Sequence, residues 1–285
     1  MNYRHIYHAG NFGDVLKHAL LVPLVCAMQR KEKGFVFVDT HAGTGGYDLA
    51  AAAAERTSEF AAGIGRLWKA GETPSALSDF LEIVRTYNQA QGAAPGELRY
   101  YPGSPSIAAA LLRPQDRLAL SELHPDDFAE LQQAFHRRPR VHTQQIDAYS
   151  VIRAYLSSPE CRAFVLIDPP YEDANEVSRL HAGLEVGLQR LPAGTFAIWY
   201  PIKDRSATDG FLAVLQTLDL PPTLTVELTI RPDNRPDRLN GSGLLVVNPP
   251  WRIEGELAAI ADALHGTLAV EPGSRAKLEW LVPET

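Results

Sequence analysis

The chain has 285 residues, 45% of them apolar and 21% charged, with a formal net charge of −7. That is ordinary globular material, between one large domain and two small ones, with enough apolar content for a sizeable core. Cys26 and Cys161 stand far apart with no Cys-x-x-Cys pairing, which argues against a disulfide scaffold or zinc finger and fits a reducing, cytoplasmic setting.

The excess of acid is awkward for a nucleic-acid partner, because phosphate neutralisation needs local Lys and Arg. The charge is unevenly spread. Residues 1–33 hold five Lys/Arg against two acids, and a second basic knot is His136-Arg137-Arg138-Pro139-Arg140. On charge alone, each reads more simply as solvated surface.

The chain opens with Tyr3-Arg4-His5-Ile6-Tyr7-His8-Ala9-Gly10-Asn11, followed by Asp14 and Lys17-His18. Aromatics mixed with Arg and His suit a nucleobase and phosphate surface; a docked arm is the plainer alternative. No acid or cysteine completes a ligand set with His5, His8, His18 and His41, so no metal is expected. The apolar run Ala19–Met28 is broken by Pro23, too short for a bilayer and too late for a signal peptide. It reads as a buried helix, with no membrane partner.

Short β-rich runs then alternate with helical stretches, as in a parallel α/β sheet. The expected strands are Phe35–Asp39, Arg117–Glu122, Val141–Gln144, Ala163–Asp168, Thr195–Tyr200, Thr223–Ile230 and Gly243–Asn248, with Lys277–Val282 as a further candidate. Helices are expected over Asn11–Arg30, Asp126–His136, Ala174–Arg190 and Ala207–Leu218. The stretch Thr40–Asp116 is far longer than one crossover needs. Within it Tyr47–Ala70 and Ser75–Gln91 read as helices, so residues 47–103 are expected to form an inserted helical subdomain between core segments 1–46 and 104–285. The insertion suits a lid, and equally a structural appendage.

Four features carry chemistry. The first strand ends Phe37-Val38-Asp39 and enters Thr40-His41-Ala42-Gly43-Thr44-Gly45-Gly46, where a nucleotide-like ligand would meet backbone amides. The second strand ends at Glu122, whose carboxylate can accept two ribose hydroxyls. Asp147, after the third strand, could hold an adenine amine. That order is the order of S-adenosylmethionine-dependent methyltransferases. The fourth strand runs into Asp168-Pro169-Pro170-Tyr171, whose prolines stop the ladder and stiffen the backbone. An exocyclic base amine is a poor nucleophile until its lone pair is localised. Asp168 and the Pro169 carbonyl could do this, with Tyr171 stacking on the base and Asp168 taking the released proton. Asn248-Pro249-Pro250-Trp251 has the same loose pattern but follows the wrong strand, and reads as a structural turn.

The chain closely resembles the bacterial 23S ribosomal RNA adenine-N6 methyltransferases that modify one adenine, position 2030. The resemblance rests on Tyr3-Arg4-His5, His8–Asn11, Asp14–His18, Asp39–Gly43, Tyr100–Pro105, Glu122–Pro125, Ile167–Tyr171, Trp199-Tyr200-Pro201 and Asn248–Trp251, which span nearly the whole chain. Phe12-Gly13, in place of a His-Ala pair, and Ala148, in place of a glycine, depart from it.

The resemblance implies a Rossmann-like, seven-stranded methyltransferase fold with a helical insertion. It implies a cofactor site for S-adenosylmethionine built from His18, His41, Ser104, Glu122, Asp147, Ala148 and Asp168. Asp168, Pro169 and Tyr171 would be catalytic, and Tyr3, Arg4 and Tyr171 would meet substrate RNA, taken as free or early-assembly 23S RNA with no obligate protein partner. A DNA adenine methyltransferase shares the catalytic motif. An oxidoreductase would leave Pro169–Tyr171 without a task, and a non-catalytic RNA-binding protein would bind without methylating.

Overall fold

The computed structural model describes residues 5–51, 57–156 and 162–284. Its strands are β1 (Val36–Asp39), β2 (Gly46–Asp48), β3 (Tyr100–Pro102), β4 (Arg117–Ser121), β5 (Val141–Gln144), β6 (Ala163–Ile167), β7 (Thr195–Ile202), β8 (Thr223–Thr229), β9 (Gly241–Val247) and β10 (Ala276–Val282). Every strand expected from sequence is present, within two residues at its ends.

The main sheet has the order β10-β8-β9-β7-β6-β1-β4-β5. The run β7-β6-β1-β4-β5 is parallel, while β9 lies antiparallel between β7 and β8. The expected seven strands are therefore eight. β10 adds antiparallel to β8, with Leu278 and Trp280 packed onto the core, and covers a ladder edge that would otherwise be open. The chain leaves β1 for β4 and β5, then returns to β6 on β1's other side. The switch point therefore lies between β1 and β6, with its crevice at their carboxyl ends.

Buried strands alternate their side chains between two cores. Phe37, Phe164 and Leu166 face one core, and Val36, Val38, Val165 and Ile167 face the other. The first core is roofed by helix α1 (Phe12–Met28) and the helices Ser104–Leu111 and Glu254–Leu268. The second is covered by Ala148–Tyr155, Glu176–Arg190 and Arg205–Leu215. α1 is capped by Asn11, whose side-chain oxygen accepts from Asp14 N, and buries nearly every residue, Asp14, Lys17 and His18 included. The Ala19–Met28 run is thus a core helix, and none of the described helices is long and apolar enough to cross a membrane.

The long interval differs from expectation in detail. Its ends meet in an antiparallel ribbon, Gly46–Asp48 against Tyr100–Pro102. The stretch read as one helix, Tyr47–Ala70, opens with strand β2 and later holds two short helices, Glu59–Ala62 and Ile64–Lys69; residues 52–56 lie outside the described residues. Gly63 divides those helices because it presses on the N-terminal arm: a Cβ there would lie 2.2 Å from the Gly10 carbonyl oxygen. The helix Ser104–Leu111 is not announced by its sequence, whose Ser-Pro-Ser opening resembles a turn.

The two proline motifs sit at opposite ends of the sheet. Asp168 follows the carboxyl end of β6. Because β9 is antiparallel, its last residue Val247 pairs with Phe196 at the start of β7, which puts Asn248–Trp251 at the amino end. Asn248 adopts φ 51°, and its side-chain amide donates to Pro192 O (2.7 Å) and Gly194 O (2.9 Å). It is a structural turn. Asn248→Ala should cost about 2–3 kcal/mol through two lost bonds and the unfavourable φ. In urea unfolding this appears as a lower midpoint, while methyl transfer per folded molecule stays at the wild-type level.

Candidate active site

A pocket opens at the carboxyl ends of β1, β4 and β6. His18 from α1, His41 and Gly43 after β1, Ser104 after β3, Glu122 after β4, and Asp168 and Pro170 after β6 all line it. Five of the sequence-predicted cofactor residues, His18, His41, Ser104, Glu122 and Asp168, are thus brought together from five parts of the chain.

The glycine turn works by close approach. Gly43 and Gly45 have φ of +58° and +85°, and a Cβ on Gly43 would lie 2.3 Å from the Tyr47 hydroxyl. Only glycine takes that conformation without a steric penalty. The Gly43 amide donates to Glu122 Oε2 (2.9 Å) and His124 N to Oε1 (2.8 Å). The loop after β1 and the end of β4 are thereby fastened together. Burial raises the Glu122 pKa above the ordinary glutamate value, against the pull of those two amides. Each oxygen keeps a further lone pair for a ligand.

Beneath lies a run of buried charge. Lys17 donates to Asp14 Oδ1 (2.8 Å) and to Asp168 Oδ2. Asp14 Oδ2 accepts from the Gly10 amide (3.0 Å) and pairs with His5 Nε2 (2.8 Å). Burial acts to lower the Lys17 pKa, but the two carboxylates outweigh it and hold the ammonium charged above the ordinary lysine value. Burial pushes Asp14 up, and His5 and Lys17 more than reverse this, leaving it well below the ordinary aspartate value. Asp39 accepts from the Ser104 hydroxyl (2.6 Å), and burial lifts its pKa to about 6.

Two of the pocket histidines, His18 and His41, are neutral. Burial and the Lys17 charge lower the His18 pKa. His18 Nδ1 meets the Tyr101 hydroxyl at 2.8 Å, while Nε2 is buried with no hydrogen-bond partner in the pocket wall. Burial lowers the His41 pKa to about 4. An orphaned polar atom of this kind calls for a partner from outside the chain. A polar small molecule of adenosine type, with hydroxyls for Glu122 and polar groups for His18, fits such a wall. No group of His, Cys, Asp and Glu able to hold a metal ion occurs among the described residues.

Other predicted residues stand apart. Asp147 caps the helix Ala148–Tyr155, accepting from Tyr149 N and Ser150 N (3.1 Å each), and pairs with Arg179 at 2.5 Å. It is outside the pocket lining, although its charge still reaches His41. Ala148 is buried as the first residue of that helix. Pro169 is buried. Tyr171 has φ 54°; its hydroxyl donates to Trp199 O (2.7 Å), and its ring meets Phe211 edge-on. It does not line the pocket. Tyr3 and Arg4 lie outside the described residues.

Lys17, Asp14 and His5 were not assigned to the site from sequence. The signal was available: an acid and a lysine three apart within an otherwise apolar helix, where unpaired charges are almost never buried.

The pattern of the family described as ribosomal RNA large subunit methyltransferase D, RlmJ, matches residues 32–282. Two proteins named ribosomal RNA large subunit methyltransferase J are similar over 284 residues, covering all of both chains. That of Escherichia coli K12 is 37% identical and that of Haemophilus influenzae Rd is 38% identical. Among solved structures, protein LPL1258 of Legionella pneumophila superposes with a TM-score of 0.85 at 31% identity, over 96% of this chain and 98% of that one.

The low His41 pKa sets a stability window. Relative to an unfolded value near 6.5, a folded value of about 4 gives stability that is complete above pH 6.5 and lost as pH falls toward 4. Wild type minus His41→Asn should therefore lose on the order of 1–3 kcal/mol of unfolding free energy across that window, the part-exposed ring keeping it below the full 1.4 kcal/mol per unit. Chemical unfolding at stepped pH reads it; a flat difference would contradict a neutral, desolvated His41.

Proposed function

The chain belongs to the family of ribosomal RNA large subunit methyltransferase D, RlmJ, and on that premise we propose that it methylates an adenine of 23S ribosomal RNA at the exocyclic N6, using S-adenosylmethionine. The substrate is the single adenine named by the resemblance, on free or early-assembly RNA in the cytoplasm. The carrying observation is Asp168: a carboxylate beside two prolines, at the mouth of a pocket whose other walls suit an adenosine-type cofactor.

When bound, S-adenosylmethionine supplies an electrophilic methyl group on a sulfonium. Glu122 would accept its ribose hydroxyls. The orphaned His18 Nε2 would find a polar partner on it, and Asp147 with the Ala148 backbone would meet its base. The target adenine must leave its stack to enter. Its amine would donate to Asp168 Oδ1, since Lys17 already occupies Oδ2, and to the Pro169 carbonyl. Those two bonds draw the nitrogen lone pair out of the ring and toward the methyl group. Asp168 accepts the proton released on transfer and passes it to water. The arm residues Tyr3 and Arg4 would meet base and phosphate, and Tyr171 would join them on leaving its bond to Trp199 O.

Lys17 is a positioning residue here. Held by Asp14 from below, it fixes the Asp168 carboxylate in one orientation and balances its charge. Lys17→Met should slow transfer on the order of 10²-fold with cofactor affinity little changed, the cost of a misplaced reactive group.

Asp168→Ala should abolish transfer while cofactor binding largely survives, and Glu122→Ala should chiefly raise the KM for the cofactor. Labelled cofactor is incubated with protein and 23S RNA from cells lacking this enzyme, and the label is mapped. Label on N6 of one adenine is expected; label on DNA or protein alone, or near-normal turnover by Asp168→Ala, overturns the reading.

A further inference from the structure

The basic knot at residues 136–140 finds its setting in the sheet. Residues 29–35, 113–117, 136–141 and 162 all lie where the parallel strands begin, as the pairings Val36–Arg117, Leu118–Val141 and Val36–Ala163 require. These four segments hold nine Lys/Arg against two acids, in a chain whose overall charge is −7. Of the two acids, Asp116 is buried and its carboxylate is taken up by Arg113 and the Phe35 amide.

The cluster is built rather than scattered. Arg113 donates to the carbonyls of Gln29 (2.8 Å) and Lys31 (3.0 Å), and Arg162 to those of Met28 (2.6 Å) and Lys33. These two braces hold the loop of Lys31 and Lys33 against the starts of β4 and β6. Arg138 lies over the Phe135 ring at 5.5 Å. Arg140 takes φ 66°, a left-handed conformation rarely adopted by residues other than glycine, and its carbonyl accepts from Leu118 N at 3.0 Å. With Arg113, these two arginines line a groove of about 580 Å³. Lys31, Arg117 and Arg137 stand exposed around it.

We propose that this face is a second RNA-docking surface, binding phosphates of a segment of the 23S RNA substrate remote from the target adenine. The inference rests on the RNA reading above. Strands of four or five residues at about 3.3 Å each separate the face from Asp168 by roughly 15 Å, plus the loops at both ends. A short stem presented to Asp168 therefore does not reach it, whereas a long RNA passing β5, the edge strand on that side of the sheet, touches both ends. A strongly positive face on an acidic body selects a polyanion, and phosphate contacts position an RNA without reading its bases.

The test compares two RNAs: a short stem-loop carrying only the target adenine, and a long 23S fragment with its flanking helices. The variant is K31Q/R117Q/R137Q, whose side chains make no hydrogen bond or ion pair among the described residues. On the long RNA its Kd should rise on the order of tenfold near 0.1 M salt. The slope of log K against log salt should become shallower by about 2–3, the loss of three phosphate contacts. On the stem-loop, kcat and KM should match wild type, and K31R/R117K/R137K should keep wild-type affinity on both.

Unchanged Kd and salt slope on the long RNA would overturn the proposal. So would an equal loss on the stem-loop, which would put these residues at the target site, or a loss in the charge-conserving variant, which would make them structural. Binding to phosphatidylserine vesicles through these residues with no effect on RNA would assign the face to a membrane surface instead. Failure of wild type to methylate either RNA would sink the methyltransferase reading, a separate outcome.

Discussion

Lys17 is a cation sealed inside the protein, on a helix whose neighbouring residues are almost all apolar and buried. An ammonium in such a place must be paired, because leaving it bare costs many times what one good contact returns. Its two carboxylates come from different origins. Asp14 lies one turn back on the same helix, and Asp168 lies 151 residues along the chain at the end of β6. Satisfying Lys17 therefore docks α1 against the sheet at one height and rotation. The requirement extends outward: Asp14 must also satisfy the Gly10 amide and His5, which fastens residues 5–10 to α1 and sets His5 in the pocket lining.

The sheet supplies the rest. Because β1 lies between β4 and β6, the glycine turn, Glu122 and Asp168 emerge side by side although they are spread over more than a hundred residues. Parallel strands present all their carboxyl ends on one side, which is where such folds bind ligands. The same geometry gives the other end its character. There the chain enters strands from loops rich in Arg and Lys, braced by Arg113 and Arg162. One end of the sheet holds the pocket and the other a cluster of basic side chains.

Neutral His18 and His41 and a protonated Lys17 share this small volume, and the contrast has one cause. Burial disfavours charge on all three. Lys17 alone has two carboxylates close enough to reverse the effect, whereas His18 faces the Lys17 cation and a tyrosine hydroxyl. The pocket thus sets neutral His18 and His41 beside the Lys17–Asp168 pair and the carboxyl of Glu122.

Much was legible from sequence because it is local. Strands announce themselves by continuous apolar runs, the two prolines of Pro169-Pro170 stop a ladder wherever they occur, and the order of glycine turn, Glu122 and Asp168 is a property of the chain. The insertion is less legible. Its helices are broken by contacts that no local pattern records, such as Gly63 against Gly10, and its closure by β2 and β3 pairs residues more than fifty apart. The partnership of Lys17 with Asp168, the turning of Tyr171 toward Trp199 and Phe211, and the gathering of four basic loops on one face were decided only by the tertiary structure. Each depends on which residues meet across the sheet, and pairing across distance is set by packing and by the need to satisfy buried charge. The core strands and their order are written in the sequence, whereas the insertion's elements and all the meeting places follow from the fold.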